Sequence, residues 1–415
     1  MMDIKKIKIN PIIAASFIVI LGNNFSNALN YIYHLIIARM LGPSQYGTLA
    51  SLISLGGLLI VISSSIGFVI TKYVSANSSL ADSSSIARWF RSKYLLAILL
   101  LGTPVLFLAP MISSFLKVEL NLILITILFY IGYIPLACDR AILQGLIRFK
   151  DVVISSLVEN TFRIIFSILF IYLGLGAMGG IAGILVATLI TVFLLYLYLN
   201  NLIKSKEKII PTLDKKELFR YTLPTVINSL ALTSLYSMDV ILAKHFLPAI
   251  EAGAYAALSL VGKIIFFGTA PIAMVLFPNI AKQFHAKQKF LPTLLIGLAL
   301  LSILAIVASS VFTLFPETVV SALYGKAYVN YSTYLMYFAI FMTIFSLCNL
   351  LINFFIAVNV TKVAFVTVGI VMLQIVLIYL NHSSIFDIVI SSLASVSIFL
   401  VILIVILFYT KKTND

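Results

Sequence analysis

The side chains able to do chemistry in this chain are few, and each lies inside a long apolar run. Asn23, Asn27, Asn30 and His34 fall, at 100° per residue, within about 60° of one another on a helix, with Ser16 on the same face. Such a stripe can line a cavity, replacing water around a polar ligand, or tie helices together through hydrogen bonds. Ser156, Glu159, Asn160, Arg163 and Ser167 make a second stripe. Glu159 precedes Arg163 by four residues, the favourable order for an intrahelical ion pair. The same guanidinium fork could instead grip a phosphate, with Glu159 releasing it or taking a proton. Thr222, Thr225, Asn228, Ser229, Tyr236 and Asp239 form a third stripe about 120° wide. Asp239 could carry a proton or coordinate a coupling cation, or pair with Lys244 at the end of its helix. Lys263 has no acid three or four residues away, so its ammonium needs Asp239, Glu159 or an anionic substrate. Gly268 and Pro271, one to two turns on, could kink its helix.

The elements that position these groups follow from composition. Of 415 residues, 62% are hydrophobic and 10% charged, against about 25% charged in a water-soluble domain. The apolar residues come in unbroken runs rather than in alternation, which excludes a transmembrane barrel. An all-α polytopic membrane protein remains, with almost nothing outside the bilayer. Twelve runs reach the roughly 20 residues a span requires, at about 12–38, 48–70, 94–115, 122–138, 152–173, 179–198, 221–242, 253–279, 291–315, 331–356, 362–380 and 385–409. Of the 28 Lys and Arg, 22 fall at the termini and in even-numbered loops and four in odd-numbered loops. That asymmetry predicts both termini in the cytoplasm and a cytoplasmic-membrane location. It also accounts for the net charge of +14 without nucleic acid. Cys138 and Cys348 both lie in apolar runs, giving neither a disulfide framework nor metal-ligand spacing. The start MMDIKKIKINP leads into an uncleaved first span.

A basic loop after the sixth span divides the chain into lobes 1–200 and 221–415 joined by a linker, 201–220. HLIIARMLGPSQYGTLASL (His34–Leu52) matches DVILAKHFLPAIEAGAYAAL (Asp239–Leu258) with one inserted residue, pairing Arg39 with Lys244, Pro43 with Pro248 and Gly47 with Gly253. Both stretches end spans that start on the same side, so the repeat is parallel; transporters built this way bind substrate near the midplane between halves. SSIARWFRSK (Ser84–Lys93) carries the only Trp and reads as an interfacial anchor. No zinc-protease, nucleotide-loop, serine-triad or dinucleotide motif is present, which argues against an enzyme and against ATP-driven transport.

NALNYIYHLIIARMLGPSQYGTLASL, AILQGLIRFKDVVISSLVENTFRII and MDVILAKHFLPAIEAGAYAALSLVGKI followed by VLFPNIAK resemble the Wzx-type polysaccharide flippases of the MATE-like multidrug/oligosaccharidyl-lipid/polysaccharide exporter superfamily. The resemblance runs across nearly the whole chain. It implies two six-helix lobes around a central V-shaped cavity, and movement of a polyprenyl-pyrophosphate-linked oligosaccharide between leaflets by alternating access. It implies no cofactor beyond a coupling proton or sodium ion. The expected partners are that substrate, membrane lipids and other polysaccharide-assembly membrane proteins. Arg39, Arg163 and Lys263 become cationic cavity or gate positions. The competing readings are a lipid II flippase of the same superfamily, which has an additional helix pair and more arginines, and a cation-coupled multidrug exporter, which would use Asp239 and Glu159. A membrane-embedded polymerase or ligase would need a larger outer polar loop than this chain has.

Overall fold

The computed structural model describes residues 11–76, 80–203, 215–286, 288–358, 360 and 362–412. In hydrocarbon an isolated segment can satisfy all its backbone N–H and C=O groups only as a helix, and the apolar runs fold accordingly. Fourteen α-helices follow one another: α1 (Pro11–Ser75), α2 (Leu80–Arg91), α3 (Tyr94–Phe107), α4 (Ala109–Leu116), α5 (Leu120–Gly145), α6 (Phe149–Phe170), α7 (Gly176–Leu202), α8 (Lys215–Phe246), α9 (Ala249–His285), α10 (Leu291–Leu314), α11 (Pro316–Tyr324), α12 (Leu335–Ala357), α13 (Val363–Leu380) and α14 (Ile385–Lys412). No strand occurs among the described residues.

Ten helical stretches are long and apolar enough to cross a bilayer. Two of them, Leu21–Ser75 with 55 residues and Phe149–Leu202 with 54, would each reach about 80 Å if straight, against ~30 Å of hydrocarbon. Each is broken by glycine. In α1 the break is Gly42 (φ 69°, ψ 173°), immediately before Pro43. Between α6 and α7 it is Gly174 (φ 88°) in the turn 171–175. Both φ values lie where a Cβ is resisted and glycine is not. Each stretch therefore crosses twice, the crossings among the described residues number twelve, and both ends of the described chain lie on one face. We call this the terminal face and the opposite one the far face.

Helices α1 to α7 pack around Tyr33, Ile37, Leu49, Ile123 and Ile181, with a second cluster around Ile70, Val74, Ile142 and Leu199 nearer the terminal face. Helices α8 to α14 pack around an aromatic core containing Phe338, Phe341, Phe345 and Phe399. The two lobes meet at the far face. A Cβ on Gly47 would lie 2.7 Å from the Gly253 nitrogen, and one on Gly253 would overlap the Pro43 carbonyl. Gly47 and Gly253 are the residues the internal repeat pairs. Equivalent positions touch each other only on the axis relating two halves, so this contact marks the pseudo-two-fold axis.

Three boundaries differ from the sequence reading. The fourth span runs to Gly145 rather than 138, because Asp139 and Arg140 find partners inside the protein and need not reach water. The linker ends earlier, since α8 begins at Lys215; residues 204–214 lie outside the described residues. Ser84–Lys93 falls largely in α2, whose Ser83, Ile86, Ala87 and Phe90 are buried against the bundle, with Arg91 3.4 Å from Asp139. The helix is thus tied to its own lobe as well as lying at the interface.

Close approach at the axis leaves no room for a side chain. Gly253→Ala is expected to lower the melting temperature of the purified protein, because overpacking a tight contact costs about 1–3 kcal/mol. Gly57→Ala meets nothing within 4 Å, and thermal unfolding should find it unchanged or slightly more stable.

Candidate functional site

With the lobes joined at the far face, a cleft remains between them deeper in the bilayer. A cavity of about 370 Å³ is lined by Asn24, Asn27, Asn30 and Tyr31 of α1 and by Leu260, Ile264, Phe267 and Gly268 of α9. One wall therefore carries amides and a phenol, and the other is apolar. Phe25, Ile32 and Phe267 are exposed around it, so the cavity continues onto apolar surface.

The α1 stripe divides its labour. Ser26 turns into the first lobe, where its hydroxyl and carbonyl accept from the Asn160 amide at 2.7 and 3.2 Å. Asn30 stands at the boundary, lining the cavity while its Oδ1 accepts from Arg163 Nη1 at 2.7 Å. Asn27 lines the cavity as expected, but Asn23 does not; Asn24 takes that place. The cavity face lies about 60–80° around the helix from the centre of the predicted stripe, because the other edge is used to hold the lobe together. The side chains of Ser16, Thr222 and Thr225 lie outside the described residues.

Arg163 belongs to a buried network. Glu159 sits between two guanidinium groups, with Arg140 Nη2 at 2.8 Å and Arg163 Nη2 at 3.3 Å, and the Thr188 hydroxyl donates to it at 3.4 Å. Arg140 Nε donates to Ser155 at 3.0 Å, and the Arg163 guanidinium lies 5.8 Å from the Tyr33 ring centroid. Two arginines and one glutamate leave a net positive charge beside Asn30. Arg163 Nε is buried without a partner in this arrangement. The sequence placed Arg140 in a loop and so missed it. The available signal was its 19-residue separation from Glu159 across the tight turn at 146–148, a distance no helical periodicity reports.

Lys263 lies on α9 between the cavity-lining Leu260 and Ile264. It is buried, with Nζ 5.5 Å from the Tyr236 ring centroid and no carboxylate within ion-pair distance among the described residues. His34 is buried, with Nδ1 3.2 Å from the Tyr46 hydroxyl. Arg39 stands apart from the cleft: at the far face its Nε donates to the Leu323 carbonyl at 2.9 Å and its Nη2 to that of Ala322.

Asp239 is wholly enclosed in the second lobe. One carboxylate oxygen accepts from Tyr255 at 2.9 Å and from Ser259 at 3.5 Å, while the other has no partner. No ion pair joins Asp239 to Lys244 among the described residues. On α13, Gln374 donates to the Leu235 carbonyl at 3.0 Å and leaves its own Oε1 unpartnered; Ser392 Oγ on α14 is likewise orphaned. Orphaned oxygens buried in hydrocarbon are costly. Glu159 has no such vacancy.

The fold and cleft define a two-lobed membrane protein of twelve crossings built around a central cavity. The chain belongs to the polysaccharide biosynthesis protein family, which it matches over residues 12–284. It is 26% identical to an uncharacterized membrane protein of Methanocaldococcus jannaschii, covering 79% of this chain and 88% of that one. Its fold is that of the MOP superfamily. It superposes on a multidrug resistance MATE family transporter in its inward-facing conformation with a TM-score of 0.76 at 14% identity, covering 94% and 96% of the two chains. The outward-facing conformation of a multidrug resistance MATE family transporter gives 0.65 at 13% identity, covering 97% and 96%. The lipid II flippase MurJ in an inward closed conformation gives 0.71 at 16% identity, covering 95% and 87%.

Removing one partner from a buried pair strands the other charge, at about 3–5 kcal/mol. Glu159→Gln strands two guanidinium groups, whereas Arg140→Ala leaves Glu159 paired with Arg163, so Glu159→Gln should destabilise the protein more than Arg140→Ala. A double-mutant cycle read by thermal unfolding should give a coupling of roughly 1–3 kcal/mol.

Proposed function

We propose that this protein is a flippase that carries a polyprenyl-pyrophosphate-linked oligosaccharide across the cytoplasmic membrane, with both termini cytoplasmic. The observation carrying this reading is a cavity walled by Asn24, Asn27 and Asn30, with the cation Arg163 bonded to the cavity-lining Asn30 on one lobe and the cation Lys263 next to the cavity-lining Ile264 on the other. A phosphate anion crossing hydrocarbon loses its hydration at prohibitive cost unless fixed dipoles and opposite charges replace the water. The two cations would hold the phosphates, and the α1 amides would meet the first sugar hydroxyls. The apolar α9 wall and the exposed Phe25, Ile32 and Phe267 would let the prenyl tail stay in lipid while the headgroup enters. No bond is made or broken, so no catalytic residue is required.

Asp239 is the candidate for coupling. Its free oxygen, with Tyr255 and Ser259 beside it, suits a proton or a sodium ion. A cation-selective multidrug site would instead need an unpaired acid facing the cavity. Glu159 is occupied by two arginines, and Asp239 is enclosed within its lobe.

The test is leaflet exchange of a labelled polyprenyl-pyrophosphate oligosaccharide in liposomes, with and without proton or sodium gradients. Arg163→Ala and Lys263→Ala should each slow exchange by roughly tenfold or more, in keeping with charged hydrogen bonds worth about 1.5–3 kcal/mol, while expression and topology hold. Full exchange by both variants would refute the reading. Asp239→Asn should leave downhill exchange running but unresponsive to the gradient. A variant that still follows the gradient would remove Asp239 from coupling.

A further inference from the structure

The contact between the lobes at the far face has a reciprocal chemistry. The last carbonyls of a helix have no intrahelical donor and take water or a cap. Helix α11 ends before Gly325 (φ 88°), whose N–H returns to the Ser321 carbonyl at 3.0 Å. The next two carbonyls, Ala322 and Leu323, accept from Arg39, which reaches over from the first lobe. Helix α4 ends the same way in the other lobe. There Lys117 adopts φ 53°, its N–H bonds the Ser114 carbonyl at 3.3 Å, and the Val118 N–H bonds that of Ser113 at 3.2 Å. The Phe115 carbonyl between them is left over. It lies 2.6 Å from Nδ1 of His245, which comes from the second lobe, and the His245 and Phe115 rings stack at 4.2 Å and 6°. Arg39 and His245 hold corresponding places at the far ends of α1's first crossing and of α8, one residue off the repeat register. The helices they cap each close the third crossing of the opposite lobe.

The geometry points to a reciprocal latch: Arg39 and His245 hold the far face shut by each capping the C-terminal carbonyls of a short helix in the other lobe. Separation of the lobes at this face must break both caps, and Gly47 must leave Gly253. Backbone carbonyls suit such a latch. On opening, water takes over both donor and acceptor, so the bonds are exchanged rather than abandoned. A buried ion pair broken here would leave two stranded charges and hold too tightly. The arms are unequal. Arg39 brings a full charge and two bonds to the negative end of a helix, whereas His245 brings one bond and a stacked ring. The latch also connects inward. Tyr328 donates to the Ala38 carbonyl at 3.0 Å, Tyr46 packs on Tyr324 with centroids 6.1 Å apart, and the Tyr46 hydroxyl lies 3.2 Å from Nδ1 of the buried His34.

This inference requires only that the lobes part at the far face, and its readout needs no substrate, so it stands or falls separately from the phosphate-lipid reading. The full chain carrying Ile264→Cys in the cavity wall would be placed in sided membrane vesicles and labelled with a membrane-impermeant maleimide from the far face. Arg39→Gln should raise the labelling rate by about threefold to tenfold, the range expected for removing a charged cap. Arg39→Lys should fall between, keeping the charge but losing the fork. His245→Phe, which preserves the stack and removes the bond, should give a smaller rise. Labelling from the terminal face should drop in the same order. Unchanged far-face rates in Arg39→Lys and His245→Phe, with folding verified by size-exclusion profile, would overturn the latch even if Arg39→Gln fails to fold.

Discussion

A formal charge within a bilayer must meet an opposite charge or face water, and the first lobe is arranged around one solution to that demand. Glu159 lies under two arginines, 2.8 and 3.3 Å away, on three different elements' worth of support: α5 brings Arg140, α6 brings Glu159 and Arg163, and α7 brings Thr188. Ser155 and Asn30 take further guanidinium hydrogens. Because the arginines outnumber the acid, this cluster cannot neutralise itself. It binds four helices together and leaves a surplus positive charge behind the cavity-lining Asn30.

The second lobe answers the same demand with the signs redistributed. Where α1 carries His34, the repeat places Asp239. The acid is enclosed by hydroxyls, and the cation Lys263 stands a few turns away over the Tyr236 ring. A duplicated scaffold has thus diverged in charge rather than in backbone. One half keeps its acid fully paired, and the other leaves one carboxylate oxygen vacant.

Motion is written into the glycines. Gly42 and Gly174 let long apolar stretches turn back on themselves, and the Gly47–Gly253 approach lets the two backbones meet on the axis. At that point backbone meets backbone, while Tyr46 and Ala38 beside it pack against Tyr324 and Tyr328 of the other lobe. The lobes' own cores are another matter. The ring cluster around Phe338, Phe341 and Phe345 is almost wholly enclosed, which suits lobes that move as rigid bodies.

The span count, the all-helical class and the presence of Arg163, Lys263 and Asp239 as charges within apolar runs were legible in the sequence. Hydrophobic length and repeat register are local properties of the chain, and a charge in an apolar run is conspicuous without coordinates. The partners were not legible. Arg140 looked like a loop residue, because only the packing of α5 against α6 turns it towards Glu159. Asn24 rather than Asn23 lines the cleft, because one edge of the α1 stripe is claimed by Ser26 and Asn160. Arg39 left the cavity for the far face, because the helix end it caps belongs to the opposite lobe, nearly three hundred residues away in the chain. Sequence determines which residues hydrocarbon cannot tolerate alone; tertiary structure decides who accompanies them, since hydrogen bonds and ion pairs act over a few ångströms and separation along the chain does not report that distance.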